Sequence, residues 1–177
     1  MTTADRLPRI REDEMDADQL DIYDRFRAGR RVAPDSPFTL LHPDGGLIGP
    51  ANAWLLSPKI GGALEQLGGA VRFELSLSGR CREIAILLVG FHRDSAFELF
   101  AHRPAGRAVG LTDTEIESLA GRTGPEFDAP AERAVRDTTR ALLRAGALTD
   151  EEFSAATAVL GRPGLFELVD RVPRWRR

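Results

Sequence analysis

Apolar residues recur at helical spacing along most of the chain. In one stretch Ile84, Leu87, Leu88 and Phe91 fall at positions i, i+3, i+4 and i+7, which places them on one face of a helix. No stretch shows the convincing alternation of apolar and polar residues that is typical of a half-buried strand. The segment 72–78 comes nearest to it and lacks a partner strand. The pattern therefore predicts an all-α fold.

Residues that start and stop helices divide this pattern into elements. Three stretches have the form Ser/Thr-x-x-Glu, known as a capping box. In it the Ser or Thr side chain accepts from the N–H of the glutamate, and the glutamate side chain accepts from the N–H of the Ser or Thr. They begin at Ser95, Thr112 and Thr149. Ser57 and Ser78 are predicted to cap two more helices. Helices are predicted after each of these caps and over residues 16–28, 58–71, 80–91, 129–145 and 163–172.

Residues 30–50 interrupt the helical pattern. This segment contains four prolines and the pair Gly45–Gly46, which predict an extended loop with little regular structure. A loop of this length in a small domain often has a function or wraps a neighbouring subunit. With 177 residues the chain can build one domain with a sizeable core, or at most two small ones. We expect a single domain over residues 1–177, with an N-terminal helix and loop over 1–50 and a helical core over 51–172.

Charge and cysteine content exclude several classes of function. The net charge is −3 with mixed signs, whereas binding to phosphate backbones needs a basic face, so no nucleic acid partner is expected. The basic residues 171–177, with Trp175, are interpreted as a solvated tail. The single cysteine, Cys81, cannot form an internal disulfide, which fits a reducing cytoplasm. The start lacks the apolar segment of a secretory signal, and the longest apolar run, 84–89, is too short to span a bilayer, so no membrane partner is expected.

A carboxylate and an imidazole occur together in the helix predicted after Ser95. Glu98 and His102 lie four residues apart and share one helix face, where a carboxylate can orient an imidazole. Pro104 in the same helix removes one backbone hydrogen bond. If the preceding helix packs antiparallel to this one, Glu83 comes to lie near His102. These residues form a candidate acid/base site.

Each of these residues also has a purely structural interpretation. Glu98 can be the acidic partner of the Ser95 cap, or half of an exposed pair with His102 that stabilises the helix by only about 0.2–0.5 kcal/mol. Glu83 can be a first-turn acid that interacts favourably with the helix dipole. His92 can be a cap or a surface residue. Spacing alone leaves both interpretations open.

Other kinds of site find little support in the sequence. The three histidines do not occur in the H-x-x-x-H or H-E-x-x-H patterns that bind zinc, so no metal is expected. The paired glycines match neither G-x-G-x-x-G nor the P-loop pattern, and no G-x-S-x-G elbow occurs. A Ser-His-Asp triad assembled from distant residues stays open. No cofactor is expected.

One segment resembles the carboxymuconolactone decarboxylase family, which includes the alkyl hydroperoxidase D-like proteins: CREIAILLVGFHRDSAFELFAHRPAGRAVGLTDTEIESL, residues 81–119. The family pattern is an R-E-x-A-I-L helix, a short turn, a helix start with an acid or a cysteine, a histidine about two turns later, and then A-G-L-[ST]. Flanking stretches resemble the family too, so the resemblance covers most of the chain. It implies an alkyl hydroperoxidase D-like helical bundle that assembles as a homotrimer or homohexamer.

The redox branch of this family resembles E-x11-C-x2-C-x3-H, and its thiol pair carries out disulfide chemistry. The same spacing falls here on Glu83, Ser95, Glu98 and His102, so the acid and the base are retained and both thiols are absent. Thiol peroxidase activity needs a thiolate and normally a second thiol. The resemblance therefore implies that this chain has no such activity.

Glu98 and His102 instead resemble the decarboxylase-like branch, whose pattern is roughly Y-E-W-x-x-H. Phe97 and Leu99 replace its tyrosine and tryptophan, which removes a phenol that could donate a proton and changes the pocket wall. The family's longer apolar C-terminal helix is not matched by the ending LFELVDRVPRWRR. We expect acid/base chemistry to be retained, with a changed substrate and a changed subunit interface.

The expected enzyme uses three catalytic residues. His102 is the general acid/base, Glu98 orients it and holds its tautomer, and Glu83 is a second acid whose pKa is raised if it is buried. The expected reaction is decarboxylation of a small carboxylic acid or lactone. Isomerisation, hydrolysis or dehydration would use the same residues.

The expected pocket lies between the helix of Glu83 and the helix of His102. The side chains expected to bind or enclose a small-molecule substrate are His92, Ser95, Phe91, Phe97 and Phe100. The arginines that could hold a substrate carboxylate are Arg82, Arg103 and Arg107. The alternative function is a non-catalytic, oligomeric binding or scaffold protein on the same fold.

Overall fold

The computed structural model describes residues 7–28 and 36–171. Within these ranges the regular structure is helical and no β-strand occurs. The single β-type pairing is an isolated antiparallel bridge between Leu41 and Leu47, so the all-α prediction is confirmed. None of the described helices has the length and apolar character that crossing a membrane would require. The helices are α1 (Ala17–Ala28), α2 (Pro50–Trp54), α3 (Pro58–Phe73), α4 (Gly79–His92), α5 (Ala96–Ala108), α6 (Asp113–Ser118), α7 (Pro130–Ala145) and α8 (Asp150–Arg171).

Most helix ends lie where the capping residues predict them. Thr112 and Glu115 exchange reciprocal bonds at the start of α6, and Thr149 and Glu152 do the same before α8. Gly146 ends α7 in the left-handed conformation, with φ of 73°, which glycine adopts without a steric penalty. Local side-chain chemistry therefore sets these boundaries.

One predicted cap differs from the structure, and one predicted break between helices agrees with it. Ser57 occupies the N-cap position of α3, but its side chain makes no capping bond. The break predicted between the last two helices lies within α8, at Gly161, where the backbone is not helical, with φ of 68° and ψ of 168°. Pro163 follows that break and lies in the first turn of the second half, where a missing N–H costs nothing. Residues 30–35 of the predicted loop and residues 172–177 of the predicted tail, with Trp175, lie outside the described residues.

The chain divides into two compact units, Met1–Glu74 and Leu75–Arg177. The expectation of one domain over residues 1–177 stays a prediction. In the first unit α1 packs against α3, and the hydroxyl of the buried Tyr23 donates to the carbonyl of Gly45 at 2.6 Å. This bond ties part of the predicted loop to α1. The fully buried apolar side chains of this unit include Ile22, Phe26, Leu47 and Leu55.

The second unit is built around α4, which packs against α5, α7 and α8. Arg80 connects α4 to α6 and α7, because it pairs with Glu115 and with Glu132, each at 2.7 Å. This packing fixes α4 and α5, the two helices that carry the candidate site. The buried apolar cluster consists of Cys81, Ile84, Ala85, Leu87, Leu88, Leu111, Ile116, Leu119, Phe127, Val135 and Leu168.

Three arginines on α7 hold the segment that precedes this helix. Arg133, Arg136 and Arg140 lie at i, i+3 and i+7 and therefore share a helix face. Each donates from its guanidinium to the backbone of the segment between α6 and α7. Their acceptors are main-chain carbonyl oxygens, those of Gly121, Arg122, Pro125, Phe127 and Asp128.

Thr139 on α7 is fully buried, and its hydroxyl has no hydrogen-bond partner among the described residues. Burying a polar group without a partner costs about 1–3 kcal/mol. We expect Thr139→Val, which keeps the side-chain shape, to raise the free energy of unfolding by about 1 kcal/mol in urea titrations. Thr157→Val is the control, because the Thr157 hydroxyl donates to the Phe153 carbonyl at 2.8 Å and should give no gain. A less stable Thr139→Val protein would contradict the prediction.

Candidate active site

Helices α4 and α5 form an antiparallel hairpin. Only three residues separate them, and the Ser95 N–H donates to the carbonyl of Gly90 at 3.0 Å. A Cβ added at Gly90 would lie 3.3 Å from the Cβ of Glu98 and from a methyl group of Leu99. The glycine thus lets the start of α5 lie close against the end of α4. The hairpin also brings the middle of α5 opposite the first half of α4.

Glu83 and His102 meet across this hairpin, as the antiparallel arrangement predicts. The Nδ1 atom of His102 lies 2.7 Å from Oε2 of Glu83, and the second carboxylate oxygen, Oε1, accepts from Nε of Arg82 at 3.1 Å. Glu83 is 1% exposed, which makes it one of the few buried charged residues among those described. A charge at such a depth needs partners for both oxygens, and Glu83 has them.

The environment of Glu83 keeps it ionised. Burial alone raises the pKa of its carboxyl, because the protein interior solvates a charge poorly. The hydrogen bonds and charges of His102 and Arg82 act in the opposite direction and prevail, so the pKa lies below its ordinary value of 4.5. The expectation of a raised pKa is therefore wrong. Near neutral pH, Glu83 is a carboxylate that accepts hydrogen bonds and has no proton to donate.

Glu98 faces the other ring nitrogen of His102. Its Oε2 lies 3.5 Å from Nε2, and its side chain is 38% exposed, against 14% for His102. The Ser95 side chain accepts a hydrogen bond from the Glu98 N–H. The Glu98 carboxylate does not accept one from the Ser95 N–H, because that N–H donates to the carbonyl of Gly90. The Glu98 carboxylate is thus directed to the imidazole. Glu83 makes the shorter and more deeply buried contact with the imidazole, and the orienting role predicted for Glu98 stays a prediction.

The predicted substrate-binding residues lie around the turn of the hairpin. His92 is exposed at the last position of α4, and Ser95 caps α5. Phe91 and Phe97 are half-buried, and Phe91 lies beneath the guanidinium of Arg103, 5.4 Å from the ring centre. Phe100, expected to enclose the substrate, is 62% exposed.

The three candidate arginines have different partners. Arg103 pairs with Glu117 at 3.0 Å, and Arg107 pairs with Asp113 at 2.6 Å. Arg82 is the one that contacts the Glu83–His102 pair. From the sequence, Arg82 was a candidate only as a ligand for substrate. Its contact with Glu83 gave no signal there, because adjacent residues on a helix do not face each other.

Cys81 lies on the buried side of α4. It is 2% exposed, and burial raises the pKa of its thiol. A raised pKa leaves little of the thiolate that reacts with peroxides or disulfides. Among the described residues, no three His, Cys, Asp or Glu side chains are grouped so that they could bind a metal ion.

The lowered pKa of Glu83 predicts a loss of stability in acid. Its ionised form contributes fully above the ordinary value of 4.5, and this contribution is lost as the pH falls through the lower folded value. We expect urea unfolding to show a free energy that declines below about pH 5, and less steeply in Glu83→Gln. Glu115, whose pKa is also lowered, stays in both proteins and cancels in the comparison. Identical slopes would contradict the prediction.

No family model, no curated protein and no solved structure matches the chain. The chemistry of this site is therefore inferred from its own residues. These are a buried carboxylate, a largely buried imidazole and a second, more exposed carboxylate, all placed by the hairpin of α4 and α5.

Proposed function

We propose that the chain is a carboxymuconolactone decarboxylase-like enzyme that performs cofactor-independent acid/base chemistry on a small carboxylic acid or lactone. The observation that carries this proposal is the 2.7 Å contact between the buried Glu83 and Nδ1 of His102. A buried carboxylate on one ring nitrogen fixes the imidazole and leaves the other nitrogen for proton transfer. A surface ion pair does not need this burial.

In the proposed reaction, His102 transfers the proton and Glu83 positions the imidazole. A β-keto or vinylogous acid loses carbon dioxide when its C–C bond breaks, and the electron pair of that bond forms an enolate. Protonated Nε2 of His102 then gives its proton to the enolate carbon. The ring is then neutral, with its remaining proton on Nδ1, and a proton from solvent restores the imidazolium, whose Nε2 lies 3.5 Å from the Glu98 carboxylate.

The family resemblance supports this proposal through Glu83, Glu98 and His102, the residues that coincide with the family pattern. It also supports self-association as a trimer or hexamer. The lone, buried Cys81 supports the absence of thiol peroxidase activity and fits a reducing cytoplasm.

Carbon dioxide release from 4-carboxymuconolactone and a small panel of β-keto acids tests the proposal. General acid/base groups contribute about 10²–10⁴-fold, so His102→Gln should reduce turnover by that factor. His42→Gln is the matched control, because His42 lies in the other unit, beside Asp44 at 2.9 Å. Turnover that survives in His102→Gln would remove the proposed role of this residue.

The second candidate is a non-catalytic, oligomeric binding or scaffold protein. It is favoured by two large apolar side chains in the second unit, Phe100 at 62% and Phe166 at 74% exposed, since such residues often mark protein contacts. A folded protein that releases no carbon dioxide from any compound, and that light scattering shows to be oligomeric, would favour this candidate over decarboxylation.

A further inference from the structure

We propose that Arg82 is a positioning residue of the Glu83–His102 pair, which fixes the plane of the Glu83 carboxylate and thereby the tautomer of His102. For its effect on catalysis this inference rests on the proposed function. Its structural content does not, because the position of a proton on an imidazole can be measured without a substrate.

The geometry assigns one donor to each oxygen of Glu83. Oε1 accepts from Nε of Arg82 at 3.1 Å, and Oε2 lies 2.7 Å from Nδ1 of His102. The torsion that turns a carboxylate has a broad, nearly two-fold profile, so a single bond at Oε2 would leave the carboxylate free to rotate. The second bond at Oε1 restricts that rotation and directs Oε2 at the imidazole.

The contact between Arg82 and Glu83 does not follow from helix spacing. Neighbouring positions on an α-helix point about 100° apart, because a turn takes 3.6 residues. The Arg82 side chain must therefore bend towards Glu83 to reach it. It is 20% exposed, so most of it is removed from the solvent that weakens ordinary surface pairs.

No other described arginine takes this place. Arg80, two positions earlier on α4, is held by Glu115 and Glu132, and Arg103, next to His102 in sequence, is held by Glu117. Among the described residues, Arg82 and His102 are the cationic partners of Glu83.

The functional consequence concerns the proton on His102. With Glu83 held as an acceptor, the neutral imidazole that is left after Nε2 has given its proton keeps the other proton on Nδ1, and its Nε2, on the side of Glu98, is ready to be protonated again. Without Arg82, the carboxylate can rotate, and the tautomer protonated on Nε2 competes.

Nitrogen-15 NMR of the imidazoles, at a pH where they are neutral, tests the inference. His42 and His92 are internal references. In the wild type we expect His102 to carry its proton on Nδ1, and in Arg82→Gln to show a mixture of tautomers. Carbon-13 NMR of the carboxyl groups should show a higher pKa for Glu83 in the same variant, because a positive partner is lost.

Arg82→Lys separates charge from position. It keeps a positive charge, so we expect it to hold the Glu83 pKa low, but an ammonium lacks the planar donor geometry and should still give mixed tautomers. This variant also carries the test if Arg82→Gln does not fold. Arg103→Gln, adjacent to His102, should leave both signals unchanged.

Two results overturn the inference. One is a folded Arg82→Gln protein whose His102 keeps its proton on Nδ1, and the other is an equal effect of Arg103→Gln. Absence of turnover in the wild type would contradict the proposed function, whereas the tautomer of His102 would still decide the role of Arg82. If turnover exists, a positioning role lowers kcat in Arg82→Gln by at most about 10²–10⁴-fold and leaves KM nearly unchanged.

Discussion

Glu83→Ala is expected to lower the free energy of unfolding by about 3–5 kcal/mol, because it removes one partner of a buried ion pair. Glu83 is 1% exposed and accepts from both Arg82 and His102. Its removal leaves the guanidinium and the imidazole facing a cavity that the shorter side chain does not fill. Urea unfolding near neutral pH measures the loss.

The same imidazole provides the control for this prediction. Glu98→Ala removes the half-exposed carboxylate 3.5 Å from Nε2 of His102 and should cost only about 0.2–0.5 kcal/mol. Glu83→Gln should fall between the two, because one amide oxygen still accepts from His102 while its NH2 group opposes the donor of Arg82. Similar small losses for Glu83→Ala and Glu98→Ala would show that burial of Glu83 contributes little.

Gly61→Ala is expected to destabilise the first unit by about 3 kcal/mol. A Cβ at this position would overlap the carbonyl oxygen of Trp54 and lie 2.8 Å from its carbonyl carbon. Both are main-chain atoms of α2, which cannot move aside as a flexible side chain can. The start of α3 would therefore have to shift away from α2.

The neighbouring Gly62 is a matched control in the same helix. A Cβ there would meet the end of the Arg25 side chain at 3.2 Å, and this side chain can move. Gly62→Ala should therefore be neutral or stabilise by up to about 1 kcal/mol, since alanine favours helix over glycine. Urea unfolding of the two variants compares them directly. Equal stabilities would contradict the close approach of α2 and α3.

Local signals predicted most helices of this chain, because caps and apolar stripes act within a few residues. Thr112, Thr149 and Gly146 mark helix ends where the structure has them. Pro163 marked the start of a separate last helix, and the structure breaks α8 two residues earlier, at Gly161. Ser57 behaves differently, because it is a favourable residue at the N-cap position whose side chain makes no capping bond.

The sequence predicted which residues lie together in the candidate site better than it predicted the contacts that each of them makes. Spacing within α5 placed Glu98 beside His102, and the hairpin placed Glu83 nearby. Sequence spacing does not reveal which ring nitrogen a carboxylate faces or how deeply it is buried. In the structure Glu83 makes the shorter and more deeply buried contact. The contact of Arg82 with Glu83 was not predictable either, because it depends on the path of the long Arg82 side chain.

The arginines of α7 donate hydrogen bonds to the main-chain carbonyl oxygens of the preceding segment. Every residue type carries such an oxygen. These bonds, made by Arg133, Arg136 and Arg140, therefore do not depend on which side chains the segment carries. Substitutions at the exposed residues between α6 and α7 can accumulate while the connection keeps its shape, whereas Leu119 and Phe127 are buried in the core and Gly124 has φ of 69°. Substitution of one of the three arginines instead removes its hydrogen bonds to the backbone of the segment. The exposed residues of the segment therefore tolerate substitution, whereas the three arginines of the helix that follows do not.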